Sequence, residues 1–176
     1  ALKVGHALED GTQIGPVVSE SQLTSNLRYI ETGRAEGAEL LCGGMRLDRA
    51  TDGYFMALAI FANTRNDMAI NREEMFGPIT CIQTAGSYAE ALALANDTPF
   101  GLTAGIMTRS LARANHFRAN AKAGCVMINL PTAGTDYHVP FGGRGASSHG
   151  PREQGRYAAE FYTTVKTAYT AVGVPE

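Results

Sequence analysis

No apolar run in the 176 residues is long enough to span a bilayer, and the opening Ala1-Leu2-Lys3-Val4-Gly5-His6 is not a secretory signal. Neither sign of charge is in excess: 15 Lys and Arg against 17 Asp and Glu give a formal net charge of -2 and a pI near 6.1. That balance leaves no footprint for a polyanion, so neither nucleic acid nor an anionic membrane is expected as a partner. Cysteine is sparse. Cys42, Cys81 and Cys125 are odd in number and lack metal-ligand spacing, so no metal site is expected, and a reducing cytoplasm is the expected location. HExxH, GxSxG and GxGxxG are all absent, as are internal repeats and low-complexity segments.

What is present is an ordinary globular composition, 44% hydrophobic and 18% charged. A chain of this length buries roughly 70% of the surface its unfolded form exposes, enough for a core. Ser19 with Gln22 forms a capping box opening a helix, with Leu23, Leu27 and Ile30 at helical spacing and Gly33 or Gly37 to end it. Leu40-Leu41-Cys42 is a short apolar run. Tyr54–Phe61 reads as a buried strand and Ile79–Thr84 as the next. Ser87 with Glu90 opens a second helix, carrying Ala91, Leu92, Leu94 and Ala95 and stopped by Asn96-Asp97-Thr98-Pro99. A strand over Gly101–Met107, a helix over Arg109–Ala121 with Leu111, Ala114 and Phe117 on one face, and a strand over Cys125–Asn129 follow. After a long loop, Leu130 to Gly150, Pro151 suits the first turn of a short helix through Glu153–Phe161. Tyr162–Thr170 closes the chain with a β-rich alternation. This order predicts an α/β fold, a mainly parallel sheet flanked by helices, with a terminal strand that leaves it.

Chemistry-bearing residues are few. None of the three cysteines has a base beside it: Cys81 and Cys125 fall inside apolar strands, and Cys42 sits in a turn. His138 lies near Tyr137 with nothing to orient it. Arg144, Arg152 and Arg156 with Gly142, Gly143 and Gly150 form either an anion cradle at a helix start or a solvated turn. The most informative stretch is Asn71–Gln83, N-R-E-E-M-F-G-P-I-T-C-I-Q. It sets Glu73 and Glu74 before Phe76-Gly77-Pro78 and a strand. A carboxylate on such a turn can accept both hydroxyls of a ribose, as acidic residues do in dinucleotide sites. A charged helix-to-strand connection with Phe76 folded on the core accounts for the same residues.

Five motifs in order carry a resemblance over essentially the whole chain. Glu73-Glu74-Met75-Phe76-Gly77-Pro78 resembles the E-E-x-F-G-P signature of the aldehyde dehydrogenase superfamily, and Asn96 to Gly105 its asparagine-rich turn and following strand. Gly124–Asn129 is similar to its G-x-x-x-x-N strand and Pro140-Phe141-Gly142-Gly143 to its P-F-G-G loop. Gly150-Pro151-Arg152-Glu153-Gln154-Gly155 with Tyr162-Thr163-Thr164-Val165-Lys166-Thr167 resembles its closing motif. Within the superfamily, Asn129–Pro140 and the closing segment look most like the 2-oxoglutarate-semialdehyde (2,5-dioxovalerate) dehydrogenases.

The resemblance implies the carboxy-terminal part of a catalytic domain over residues 1–161 and an oligomerisation strand and tail over 162–176. It implies oxidation of a small-molecule aldehyde through a cysteine thiolate, an oxyanion hole, hydride transfer to NAD or NADP, and thioester hydrolysis by glutamate-activated water. By the same resemblance Glu74 holds the nicotinamide ribose hydroxyls, Phe76 packs beside the nicotinamide, and Gln22 lies near the adenosine ribose. Gln22's capping role explains that residue equally well. Pro131, Thr132, Gly134 and Phe141 are implied at the aldehyde entrance, with a structural P-F-G-G turn as the other reading. The last strand is implied to pair with a second subunit in a homo-oligomer.

Departures qualify the chemistry. None of the three cysteines sits in the family's nucleophile context, Leu58 stands where the family usually has proline, and Gly145 replaces a common lysine. The nucleophile, the glutamate base and the dinucleotide-binding domain are expected upstream. The chain alone is therefore expected to be inactive and to bind no nucleotide. It opens on Ala1 as a trimmed, cleaved or truncated product does, and as a chain with a processed initiator does too. The competing expectation is a stand-alone, non-catalytic oligomerisation module derived from the same family.

Overall fold

The computed structural model describes residues 2–173. They form an α/β fold that divides into two compact units, residues 1–91 and 92–176. The expected strand and tail over 162–176 end on residues 174–176, which lie outside the described residues.

The first unit is built on helix α1, Glu20–Ala35. Ser19, in extended conformation, caps it by accepting from the Gln22 amide at 3.2 Å, and Gly37 at φ 88 closes it. Gly33 lies inside the helix rather than at its end. A Cβ there would meet Phe61 Cζ at 2.9 Å and Ile70 Cδ1 at 3.0 Å, so the missing side chain lets α1 sit directly on the sheet. The sheet has the order β1 (Glu39–Cys42), β2 (Ala59–Ala62), β3 (Ile79–Cys81), with β2–β3 parallel and β1–β2 antiparallel. Leu23, Ile30, Met56, Phe61, Met68 and Ile70 are buried together between helix and sheet. A single turn of helix, α2 (Ala69–Arg72), is capped from outside. Both oxygens of Glu36 accept from the Ala69 amide at 3.0 Å.

The strand expected over Tyr54–Phe61 is shorter. Only Ala59–Ala62 joins the ladder, because the register slips between Leu40 and Cys42 and the chain then turns through Gly43 and Gly44, both at positive φ. Any side chain at Gly43 would collide with the Leu58 carbonyl, 1.7 Å from its Cβ position. Phe55 and Ala57 instead bond to the returning segment, Leu47 N to Phe55 O at 2.9 Å and Ala57 N to Met45 O at 2.9 Å.

Helix α3, Tyr88–Asn96, runs across the boundary of the two units. It opens with Glu90 N donating to Ser87 Oγ at 3.1 Å, and the Glu90 carboxylate returns to the Gly86 amide at 2.6 Å.

The second unit is a βαβ arrangement. β4 (Thr103–Ile106) pairs in parallel with β5 (Cys125–Ile128), and α4 (Leu111–Asn120) connects them. Phe117 is buried as expected, but Leu111, at the first turn, is 75% exposed. The helix through Glu153–Phe161 is also shorter than expected. Gly155 at φ 62 interrupts it, leaving a 3-10 turn over Gly155–Tyr157 and then α5, Ala158–Tyr162. Residues 163–173 are exposed and join no ladder among the described residues, so the expected closing strand is an unpaired segment in the single chain.

Candidate functional site

In the first unit the turn after α2 sends one side chain inward and three outward. Met75 packs against the core, while Glu73, Glu74 and Phe76 face solvent. The two carboxylates have different lives. Glu73 accepts from the Tyr29 hydroxyl at 2.7 Å, and that bond, with burial, raises the tyrosine pKa above 10.0. Glu74 is exposed and makes no hydrogen bond or ion pair among the described residues. Its acceptor sites are uncommitted, the state in which a carboxylate can take a pair of hydroxyls.

Phe76 is 74% exposed and at φ 50, a left-handed conformation that bulky residues rarely adopt. The alternative in which Phe76 folds back on the core is therefore excluded. Below the turn, Gln22 Nε2 donates to the Met75 carbonyl at 3.0 Å and to Asn26 Oδ1 at 2.9 Å. Gln22 thus donates its backbone amide to the Ser19 cap and braces the turn through its side chain. Its nitrogen is already shared between two acceptors within the protein. Sequence reasoning missed Asn26. The signal was there: an amide at the buried position of an apolar stripe formed by Leu23, Leu27 and Ile30.

In the second unit Pro131, Thr132 and Gly134 are exposed on one loop, with Gly134 at φ 85, while Phe141 is half-buried. The P-F-G-G segment is held from several sides. Gly101 O accepts from Gly124 N and Arg144 N, both at 2.9 Å; Ser147 Oγ accepts from Gly101 N at 3.0 Å and Ser148 Oγ from Gly143 N at 2.6 Å. Arg152, a member of the basic group, donates through Nη1 to the Gly143 carbonyl, and Arg156 donates to the Tyr157 hydroxyl at 3.2 Å. Arg152 and Arg156 thus have internal acceptors, which favours the structural reading of that group over an anion cradle.

The remaining motif residues are braces. Asn96 donates to Asn120 O at 3.0 Å and accepts from Lys122 N at 2.7 Å, closing α4. Asn129 accepts from Thr108 N at 2.7 Å and donates to Thr108 O at 2.9 Å, tying the ends of β4 and β5. The Cys81 thiol is quiet: burial pushes it up to about 11, and it donates to Ile70 O at 3.5 Å. No cluster of His, Cys, Asp and Glu suited to a metal occurs among the described residues. No helix among them is long and apolar enough to cross a membrane.

The profile described as Aldehyde dehydrogenase family matches residues 1–168. The chain belongs to the aldehyde dehydrogenase family. It is 41% identical over 170 residues to alpha-ketoglutaric semialdehyde dehydrogenase of Bacillus subtilis, covering 96% of this chain and 35% of that protein. It is also 41% identical over 174 residues to betaine aldehyde dehydrogenase of Brucella anthropi, covering 98% and 35%. The chain thus spans about a third of the length of these curated relatives. Among solved structures, an aldehyde dehydrogenase from Bacillus cereus in complex with NAD+ superposes with a TM-score of 0.88 at 35% identity, covering 98% of this chain and 34% of that one. An aldehyde dehydrogenase of Mycobacterium tuberculosis complexed with NAD+ gives 0.87 at 34% identity, covering 97% and 36%. The resemblance read from the motifs, including that to the semialdehyde dehydrogenases, is borne out.

Proposed function

We propose that the chain is the carboxy-terminal portion of an NAD(P)-dependent aldehyde dehydrogenase acting on 2-oxoglutarate semialdehyde, and that it forms the nicotinamide-facing wall of that enzyme's pocket. The observation that carries the reading is the pairing of an uncommitted, exposed Glu74 carboxylate with an exposed Phe76 ring two residues away on one braced turn. An oxidised nicotinamide nucleotide supplies the hydride acceptor. Glu74 accepts hydrogen bonds from its ribose hydroxyls, and Phe76 offers an apolar face beside the ring, excluding water there. Pro131, Thr132, Gly134 and Phe141 line the aldehyde entrance. Gln22 contributes at the adenosine ribose through the oxygen of its amide, the nitrogen being engaged internally.

None of Cys42, Cys81 and Cys125 acts as nucleophile, and the reactive thiolate and the glutamate base belong to polypeptide outside residues 1–176. The segment Tyr162–Thr170 pairs with a second copy. Val165 and Tyr169, each 95% exposed, supply apolar area for that contact. The same exposure supports the alternative, an assembly module without catalysis.

The separating experiment joins the chain behind the part of the Bacillus subtilis relative that it does not cover. The account expects semialdehyde oxidation with NAD+ or NADP+ by the hybrid and none by the chain alone. A discrete oligomer whose hybrid neither binds nucleotide nor oxidises aldehyde favours the module. Oxidation by the isolated chain overturns the assignment of the nucleophile.

A further inference from the structure

Asn26 is an anomaly on its helix: it lies in the apolar stripe of α1 at 0% exposure. Its Oδ1 accepts from Gln22 Nε2 at 2.9 Å, while its Nδ2 has no hydrogen-bond partner. Amide orientation is usually a choice between two fits. Here the neighbour decides it. Gln22 must present its NH2 to the Met75 carbonyl 3.0 Å away, so the same NH2 faces Asn26, and only oxygen is acceptable there. Nδ2 is left against Gly77, where an added Cβ would lie 2.2 Å from it.

A buried donor with no acceptor keeps the full cost of leaving water with nothing to offset it. Leucine, with the same branching and similar volume, incurs none of that cost. The turn above is costly as well: φ 50 at Phe76 is a strained conformation for a bulky residue, and such strain persists only where the surroundings over-determine it. The surroundings here are few and specific. Gln22 pins the Met75 carbonyl, Gly77 is fitted against the Asn26 side chain, and Gly77 O accepts from Ile79 N at 2.8 Å.

We infer that Gln22 and Asn26 form an amide clamp that holds Phe76 left-handed, with its ring and the Glu74 carboxylate turned outward. Asn26 is a positioning residue. Its purpose, presenting a nicotinamide wall, rests on the function proposed above; the clamp itself does not.

The test is solution NMR on the 176-residue chain as wild type, Asn26→Leu and Gln22→Met. Wild-type Phe76 should show the short intraresidue HN–Hα contact of a left-handed residue. In Asn26→Leu the core signals of Phe61 and Ile70 should survive to the same or higher denaturant, since the orphan donor is gone. Phe76 should lose its left-handed signature, and the Ile79 amide should exchange about tenfold faster, the worth of one hydrogen bond. A purely structural Asn26 would move the core transition and leave the turn alone. Asn26→Leu with Phe76 and Ile79 as in wild type overturns the clamp. Should leucine prevent folding, Gln22→Met removes the shared donor at a half-buried site. A loosened turn there supports the clamp, and an unchanged one overturns it. A clamp that behaves as expected in a hybrid enzyme blind to nicotinamide nucleotides counts against the proposed function alone.

Discussion

Gly77→Ala tests how tightly the turn is fitted. The backbone at 77 lies outside the left-handed region, so alanine introduces no dihedral strain, and packing is the whole effect. The new Cβ would sit 2.2 Å from Asn26 Nδ2, 2.5 Å from Cγ and 2.7 Å from Oδ1. Asn26 cannot yield into open space, because it is fully buried among the core side chains. Either Asn26 swings and breaks its bond from Gln22, or the turn lifts and breaks the bond from Gln22 to Met75 O. One lost hydrogen bond costs about 0.5–1.5 kcal/mol, and overpacking of this kind costs about 1–3 kcal/mol. The expected loss is therefore about 1–3 kcal/mol. Urea unfolding followed at Phe61 and Ile70 reads it within the first unit, as a lower midpoint with unchanged slope. On an Asn26→Ala background the methyl has room, and the cost should fall by about 1 kcal/mol or more. Gly77→Ala within about 0.5 kcal/mol of wild type, or an equal cost on both backgrounds, refutes the reasoning.

Gly124→Ala should be more damaging to the second unit, because its Cβ would lie 1.9 Å from the Gly142 carbonyl, which is backbone; loss of slow-exchanging amides across β4 and β5 checks it. At pH 8, iodoacetamide should alkylate exposed Cys42 first and Cys81 only after denaturation, as peptide mass spectrometry will show. Because the folded state raises the Cys81 pKa from 9.0 to about 11, its contribution to stability is complete below pH 9 and lost as pH rises through about 11. Tyr29, raised above 10.0, adds a loss of the same sign, so Cys81→Ala should flatten the alkaline decline only in part. Deleting residues 164–173, which are exposed throughout, should leave the monomer's melting unchanged and abolish self-association in sedimentation.

Elements with local signals were legible in the sequence. Ser19 and Ser87 each cap the helix they precede, because a side-chain acceptor three residues before an orphan amide acts locally. Ser110 caps α4 in the same way, one residue beyond the expected start at Arg109. Element lengths were not. The register slip at Leu40–Cys42 and the left-handed Gly155 are set by backbone approaches from distant segments, Leu58 O to Gly43 and His138 O to Gly155, and no periodicity encodes them. At the candidate site, the motif gave Glu74 and Phe76 by position. It could not say that Glu73 is taken by Tyr29, 44 residues away, or that Phe76 points outward. The Gln22 capping box was half legible: the backbone half forms, and the side chain goes to Met75, 53 residues on.

The central claim is that Glu74 holds the nicotinamide ribose in line for hydride transfer. The most direct measurement is the single-turnover rate of nicotinamide reduction in the hybrid enzyme carrying Glu74→Gln, beside the unsubstituted hybrid. The account predicts a hydride step slowed at least about tenfold, the worth of one charge-assisted hydrogen bond, with the unfolding midpoint unchanged. An equal rate in the two proteins would contradict it.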